Sequence, residues 1–362
     1  MSTSYTTPLI FSDVLSQTVG CDVYLKLETL QPSYSFKYRG MLHFIQHVKQ
    51  TKGTSAHIVI ASSGNAAIAA ACAAKGVGLR CTTFMPADTP PAVVDYIRRQ
   101  GAEAHLEGVE YYHALKAAER FVEDDSSRTI VSSYNHELLW EGHSTIVLEI
   151  ASQLPAGVVP DSIICAVGGG GLMGGILTGC QRVGWNSVPI VSLETHGAAS
   201  FFHAFLINSK EEHQIPTGAT ITQPETDGPK LVTLEAIKSR AQSLGARCVA
   251  PGVLKMALAH PGGVTPVSVR DEDAMLAALE FADQQKILVE LACATAMTPA
   301  YNLLLAQRLF GNGSQDSKRK TVVFILCGGF KIITDDLISY REHLQSGNQD
   351  QSPILVNGHT LG

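Results

Sequence analysis

The sequence of 362 residues is long enough for two domains of ordinary size. Hydrophobic residues make up 45% of it and charged residues 17%, which predicts a large buried core and argues against a disordered chain. The net charge of -6 comes without any basic run, so we expect neither a nucleic acid nor an anionic membrane surface as a partner.

Short β-branched runs alternate along the chain with longer helical patterns. The pattern predicts, in chain order, a strand in 56–63, a helix in 65–76, a strand in 80–86, a helix in 92–103, and strands in 161–171, 189–194 and 320–329. Such alternation predicts an α/β fold with mostly parallel sheets and helices on both faces. The strand ends "ASSGN", "GGGG" and "CGG" carry small or polar residues, where ligands bind in such folds. The segment 213–230, rich in Pro, Thr and Gly, is predicted to be a long loop.

The cysteines and the first residues indicate the compartment. None of the eight cysteines forms a CxxC motif or a zinc-ligand spacing. The start of the chain lacks the basic flank and apolar core of a signal peptide. No apolar stretch reaches the ~18 residues of a membrane span. We therefore expect a cytoplasmic protein with reduced thiols and no membrane association.

The segment "AVGGGGLMGGI" follows a predicted strand and opens a predicted helix. Gly169, Gly171 and Gly174 satisfy the G-x-G-x-x-G spacing of a dinucleotide site, and Glu194 stands where an acid would bind the ribose. Four consecutive glycines, however, offer a wide group of N–H donors that suits one phosphate monoester better. We predict a phosphate-binding turn, with a dinucleotide site and simple helix packing as the alternatives.

Lys37 lies between two aromatic residues in the segment "SYSFKYRG". A lysine, a group of phosphate-binding N–H donors and a partner for an aromatic nitrogen are the requirements of pyridoxal 5'-phosphate. The aldehyde of this cofactor forms a Schiff base with a lysine, and its phosphate accepts hydrogen bonds from the backbone.

Several collinear segments resemble the tryptophan-synthase-like (fold-type II) pyridoxal-phosphate enzymes, and more narrowly the L-serine/L-threonine dehydratases, or ammonia-lyases. They include "QPSYSFKYRG", "ASSGNAAIAAA", "VGGGGLMGG", "VELACATA" and "LCGG". The resemblance implies two α/β domains of three layers with parallel or mixed sheets, the cofactor in the cleft between them, and a homodimer. The large, cofactor-binding domain would comprise 1–37 and 136–345, the small, carboxylate-binding domain 38–135, and the C-terminal tail 346–362.

The resemblance also implies a role for each motif residue. Lys37 would hold the cofactor and act as the general base, Phe36 would lie against one face of the pyridine ring, and Asn65 would bond the ring's 3-oxygen. The substrate carboxylate would be bound by Ser62, Ser63, Gly64 and Asn65, and the phosphate by Gly168, Gly169, Gly170 and Gly171. The second face of the ring would be covered by Leu244, Gly245 and Ala246, and the pyridine nitrogen would contact Cys327. A potassium ion would be bound by Glu194, Ala198 and Ser200. Ser63 is also a candidate catalytic hydroxyl.

The thiol of Cys327 bears on the reaction. A thiol is a weak donor and a weak acceptor, so it would leave the pyridine nitrogen largely unprotonated, which favours prompt β-elimination. The resemblance thus implies elimination of water from L-serine, L-threonine or a close hydroxy amino acid, giving a 2-oxo acid and ammonia. The alternatives are a β-replacement synthase that traps the aminoacrylate and a ligand-binding relative without activity.

The sequence departs from the family pattern at positions near the substrate. The family usually has glycine where Tyr34 stands, many liver-type relatives have alanine in place of Ser63, and "CGG" is commonly followed by Ser-Asn rather than by Phe330 and Lys331. The segment 213–230 resembles an insertion. These departures leave the identity of the hydroxy amino acid open.

Overall fold

The computed structural model describes residues 4–209, 212–311, 319–347 and 349–361. Its strands are β1 Leu9–Phe11, β2 Asp22–Leu27, β3 His57–Ala61, β4 Arg80–Met85, β5 Glu103–Leu106, β6 Arg128–Ile130, β7 Ser162–Ala166, β8 Ile190–Thr195, β9 Thr220–Thr222, β10 Leu231–Thr233, β11 Val264–Val269, β12 Thr321–Leu326, β13 Leu355–Val356 and β14 His359–Thr360. Its α-helices are α1 Asp13–Val19, α2 Lys37–Lys52, α3 Asn65–Val77, α4 Pro91–Arg99, α5 Tyr111–Glu123, α6 Glu137–Gln153, α7 Gly171–Val183, α8 Ser200–Ser209, α9 Pro251–Leu258, α10 Asp271–Gln285, α11 Leu291–Tyr301, α12 Leu303–Phe310 and α13 Thr334–Gln345.

The strands form two main sheets and a two-stranded ribbon. The larger sheet has the order β1-β2-β12-β7-β8-β11-β13-β14, and the smaller has the order β5-β4-β3-β6. The smaller sheet is parallel, as are β2, β12, β7, β8 and β11 of the larger one. β1, β13 and β14 are antiparallel additions at the two edges of the larger sheet.

The central strands are buried along their whole length. Every residue of β3 (HIVIA), β7 (SIICA) and β12 (TVVFIL) is buried. A parallel strand covered by helices on both faces reads as a continuous apolar run, which is why these strands could be predicted from sequence. Their carboxyl ends lead into the "SSGN", "GGGG" and "CGG" turns.

The two sheets divide the chain unevenly. All strands of the smaller sheet lie within 38–135, and those of the larger sheet lie outside that range; the predicted domain boundaries stay a prediction. In the predicted tail, β13 and β14 extend the larger sheet, with Val356 opposite Val267. In the predicted loop 213–230, β9 pairs with β10, so this segment is partly sheet.

Two further observations concern the chain as a whole. All eight cysteines are free thiols. Among the helices of the described ranges, none has both the length and the apolar character needed to cross a bilayer.

Candidate active site

A cavity of about 520 Å³ opens at the carboxyl ends of β3, β7 and β12. Segments that follow strands of both main sheets line it. The predicted residues among them are Phe36, Lys37, Ser62, Ser63, Gly64, Asn65, Gly168, Gly169, Gly170, Gly171, Leu244, Gly245, Ala246 and Cys327. Its charged lining residues are Lys37, Arg247 and Lys331, and no carboxylate among the described residues lines it. The cavity therefore suits an anionic ligand.

Lys37 is the first residue of α2 and is partly buried. Its Nζ lies 4.8 Å from the centre of the Phe36 ring. Burial lowers the pKa of Lys37, because an ammonium group is disfavoured away from water. A lysine with a lowered pKa keeps a larger share of neutral amine near neutral pH, and only the neutral amine can act as a nucleophile or a base.

A buried cluster of charges fixes the start of α2. The guanidinium of Arg39 donates to both carboxylate oxygens of Glu28, at 2.7 and 2.8 Å, and also to Glu149. Lys26 Nζ lies 2.6 Å from the Glu149 carboxylate. Since Arg39 is two residues after Lys37, this cluster holds the helix turn that carries the lysine.

The glycine run forms a turn between β7 and α7. No N–H group of Gly168, Gly169, Gly170 or Gly171 donates to a protein acceptor in the described chain. Gly170 has φ of +93°, a conformation that favours glycine. A Cβ at Gly169 would stand 2.4 Å from the ring of Tyr134, so a larger residue would not fit there. The turn thus presents N–H groups to the cavity at the start of a helix, where anions bind.

Asn65 is held by a carboxylate that the sequence analysis did not single out. Glu290 accepts hydrogen bonds from Asn65 Nδ2 at 3.0 Å, from the backbone N–H of Lys331 at 2.9 Å, and from the hydroxyl of Ser243. Asn65 Oδ1 in turn accepts from the N–H of Phe330 at 2.9 Å. Both Asn65 and Glu290 are buried. These bonds tie the start of α3 to the segment after β12.

Two buried thiols lie together at the end of β12. A hydrogen bond with Cys293 and burial raise the pKa of Cys327 well above its ordinary value. A carboxylate in this place would be charged near neutral pH, whereas the thiol is neutral. Cys293 lies on α11 and was not singled out as a site residue.

The sequence profile of the pyridoxal-phosphate dependent enzymes matches residues 2–328. The chain belongs to this family. Bovine "L-serine dehydratase/L-threonine deaminase" is 35% identical to this pyridoxal-phosphate enzyme over 338 residues, covering 93% of this chain and 95% of the bovine one. The human protein "Serine dehydratase-like" is 38% identical, with 93% and 94% covered.

A solved structure agrees with the sequence relatives. The fungal L-serine ammonia-lyase of Rhizomucor miehei superimposes with a TM-score of 0.80 at 31% identity, covering 94% of this chain and 99% of that one. The predicted fold class, the tryptophan-synthase-like fold-type II, is confirmed. The cofactor of this enzyme is pyridoxal 5'-phosphate.

The residues of the cavity fit this cofactor. The N–H groups of Gly168 to Gly171, for which the described part of the chain offers no acceptor, suit a phosphate ester, and Lys37 suits an aldehyde. Phe36 and Leu244 are both cavity residues with apolar surface for an aromatic ring. The structure places these groups together, and their individual roles stay predictions.

Glu194, Ala198 and Ser200 lie outside the cavity lining. The Glu194 carboxylate accepts from the N–H groups of Phe201 and Phe202, at 2.9 and 2.6 Å, and burial raises its pKa well above the ordinary value. Because both carboxylate oxygens already accept hydrogen bonds and Glu194 lies away from the cavity, this residue cannot bind the ribose of a ligand in the cavity. Its position argues against the alternative of a dinucleotide site. The Ser200 hydroxyl is buried and has no hydrogen-bond partner within the described ranges, which fits a cation ligand. The potassium site stays a prediction.

Glu290, Cys293 and Lys331 are the cavity-associated residues that sequence reasoning missed as site residues. Glu290 and Cys293 stand in "VELACATA", where one acid before an apolar helix was the available signal. Lys331 was noted only as a departure after "CGG". The donors that meet at Glu290 come from positions 65, 243 and 331, so no spacing rule connects them.

Proposed function

We propose that this pyridoxal-phosphate enzyme is an L-serine/L-threonine ammonia-lyase, which eliminates the β-hydroxyl of the amino acid and releases a 2-oxo acid and ammonia. The bovine and fungal relatives match this chain over almost the whole length of each protein, and their names state activity on L-serine or L-threonine. This similarity supports a hydroxy amino acid as the substrate. The observation that carries the proposal is the neutral thiol of Cys327 in a cavity that no described carboxylate lines. A thiol there supports elimination over reactions that need a protonated ring nitrogen.

The bound cofactor supplies an electron sink that acidifies the Cα–H bond of the attached amino acid. Lys37 takes up the Cα proton at Nζ, and its lowered pKa increases the share of neutral amine that can do so. Ser62, Ser63 and Gly64 bind the substrate carboxylate, and Asn65 is held in place by Glu290. Ser63 lines the cavity beside Gly64, and in this proposal its hydroxyl assists proton transfer to or from the bound amino acid.

The proposal is tested with the purified holoenzyme and L-serine or L-threonine, with ammonia and the 2-oxo acid measured together. We expect stoichiometric release of both products. The variant Lys37→Ala should lose activity and the covalent attachment of the cofactor, whereas Lys230→Met, at an exposed lysine outside the cavity, should retain both. A Lys37→Ala variant that still makes the oxo acid would refute the role of Lys37.

The alternative of a β-replacement synthase is examined in the same assay by adding a thiol acceptor. The ammonia-lyase should give the same yield of oxo acid with and without it. A new amino acid formed at the expense of the oxo acid would show that the synthase is the correct function.

Three further parts of the proposal concern the protein as a whole. We propose two domains with the small one at 38–135, a homodimer, and a location in the cytoplasm. Limited proteolysis tests the boundaries, light scattering tests the dimer, and cell fractionation tests the compartment. A monomeric mass at micromolar concentration would contradict the dimer.

A further inference from the structure

Lys331 extends across the cavity to the turn that precedes α3. Its Nζ lies 3.7 Å, and its Cε 3.8 Å, from the position that a Cβ would take at Gly64. Gly64 belongs to the loop from Ser62 to Asn65 that the proposed function assigns to the substrate carboxylate. Lys331 therefore places a full positive charge beside that loop.

The backbone of Lys331 is held by hydrogen bonds, whereas its ammonium group has no partner among the described residues. The N–H of Lys331 donates to Glu290 at 2.9 Å, and the preceding N–H of Phe330 donates to Asn65 at 2.9 Å. The side chain forms neither an ion pair nor a hydrogen bond with any described residue, although Glu290 lies next to its backbone. A lysine on a rigid backbone with an unpaired ammonium in a cavity is arranged to bind a ligand.

The charges around the cavity favour a carboxylate as that ligand. Of the three lining cations, Lys37 is assigned to the cofactor, and Arg247 Nε already donates to the carbonyl of Leu234 at 2.7 Å. No carboxylate of the described chain lines the cavity to neutralise Lys331. An anion bound at the Gly64 turn would be stabilised both by the N-terminus of helix α3 and by the ammonium group of Lys331.

We propose that Lys331 pairs with the α-carboxylate of the amino acid and makes the site selective for ligands that carry this charge. The inference rests on the proposed function, because the role of the Ser62–Asn65 loop comes from there. The enzymes that the sequence resembles commonly have asparagine at this position, so in this chain a full charge replaces an amide. Lys331 acts in binding, and no proton transfer is assigned to it.

The test separates binding from turnover by using ligands without a leaving group on Cβ. L-alanine carries the carboxylate, and L-alaninamide replaces it with a neutral amide. Both are titrated into the holoenzyme while the absorbance of the cofactor is followed. The variants are Lys331→Met, which removes the charge, Lys331→Arg, which keeps it, and the control Lys230→Met.

We expect Lys331→Met to weaken the binding of L-alanine by about 10- to 100-fold, since a charge-assisted pair in a partly buried site is lost. L-alaninamide should change by less than about twofold, and Lys331→Arg should retain most of the preference for L-alanine. With L-serine, the loss should appear in KM more than in kcat.

Equal weakening of both ligands would show a structural effect and overturn the proposal, as would unchanged binding of L-alanine. The outcome is independent of the proposed reaction. If the wild type makes no oxo acid from L-serine, the proposed ammonia-lyase activity is refuted. If the wild type still prefers L-alanine to L-alaninamide and Lys331→Met loses that preference, the role of Lys331 is supported.

Discussion

Replacing Glu290 by alanine tests whether one buried carboxylate joins the start of α3 to the segment after β12. The substitution removes the acceptor of three donors, which are Asn65 Nδ2, the Lys331 N–H and the Ser243 hydroxyl. An unsatisfied buried donor costs about 1–3 kcal/mol. Water that enters the space left by the side chain relieves part of this, so we expect a loss of about 3–5 kcal/mol in the free energy of unfolding.

The variant Glu290→Gln separates charge from hydrogen bonding. Its carbonyl oxygen can still accept from Asn65 and Lys331, and its amide can donate to Ser243, so only the charge assistance is lost, about 1–2 kcal/mol. Urea unfolding of the cofactor-saturated protein measures both variants, with Glu280→Ala on the exposed surface of α10 as the control expected within about 0.5 kcal/mol of wild type. A loss below about 1 kcal/mol for Glu290→Ala, or a larger loss for Glu290→Gln, would refute the reasoning.

Three further predictions concern other charged groups. Arg39→Met removes the ion-pair partner of Glu28 and leaves Glu149 paired with Lys26 alone, so it should lower the free energy of unfolding in urea by about 3–5 kcal/mol. A change below about 1 kcal/mol would contradict the structural role of the cluster. Burial lowers the pKa of Lys37 from 10.5, so its neutral amine is populated at lower pH than in the unfolded chain. The rate at which the apoprotein binds the cofactor covalently should therefore rise with pH, with a midpoint below 10.5. A midpoint at or above 10.5 would contradict the effect of burial. Potassium should raise the melting temperature of the wild type by at least about 2 °C relative to choline. The Glu194→Gln variant should lose this difference. Equal increases in the wild type and in Glu194→Gln would exclude a cation site at Glu194.

Most of the framework around the site could be predicted from sequence for a simple reason. The strands that lead into it are continuous apolar runs, and the turns that follow them are rich in glycine and serine. The predicted helix 65–76 is observed as Asn65–Val77, and the predicted strand 80–86 as Arg80–Met85. Since parallel strands share one carboxyl edge, residues far apart in sequence could be expected to meet there.

The features that could not be predicted depend on contacts between distant segments. β9, β13 and β14 are two or three residues long, too short for a periodic pattern, and they form because a sheet edge or a neighbouring strand accepts them. The partners of Glu290 are likewise set by tertiary structure. The conformation of Tyr34, with φ of +61°, is another case: the position favours glycine, and the tyrosine ring is held there between Tyr96 and Phe330.

The position of β12 within the larger sheet has a consequence for biosynthesis. This strand comes after three hundred and twenty residues have been made, yet it lies between β2, near the start of the chain, and β7. Until β12 has been synthesised, the strand edges of β2 and β7 that pair with it keep unpaired backbone N–H and C=O groups. Nascent chains that stall before that point should need chaperones, because neither the sheet nor the ligand cavity can close without it.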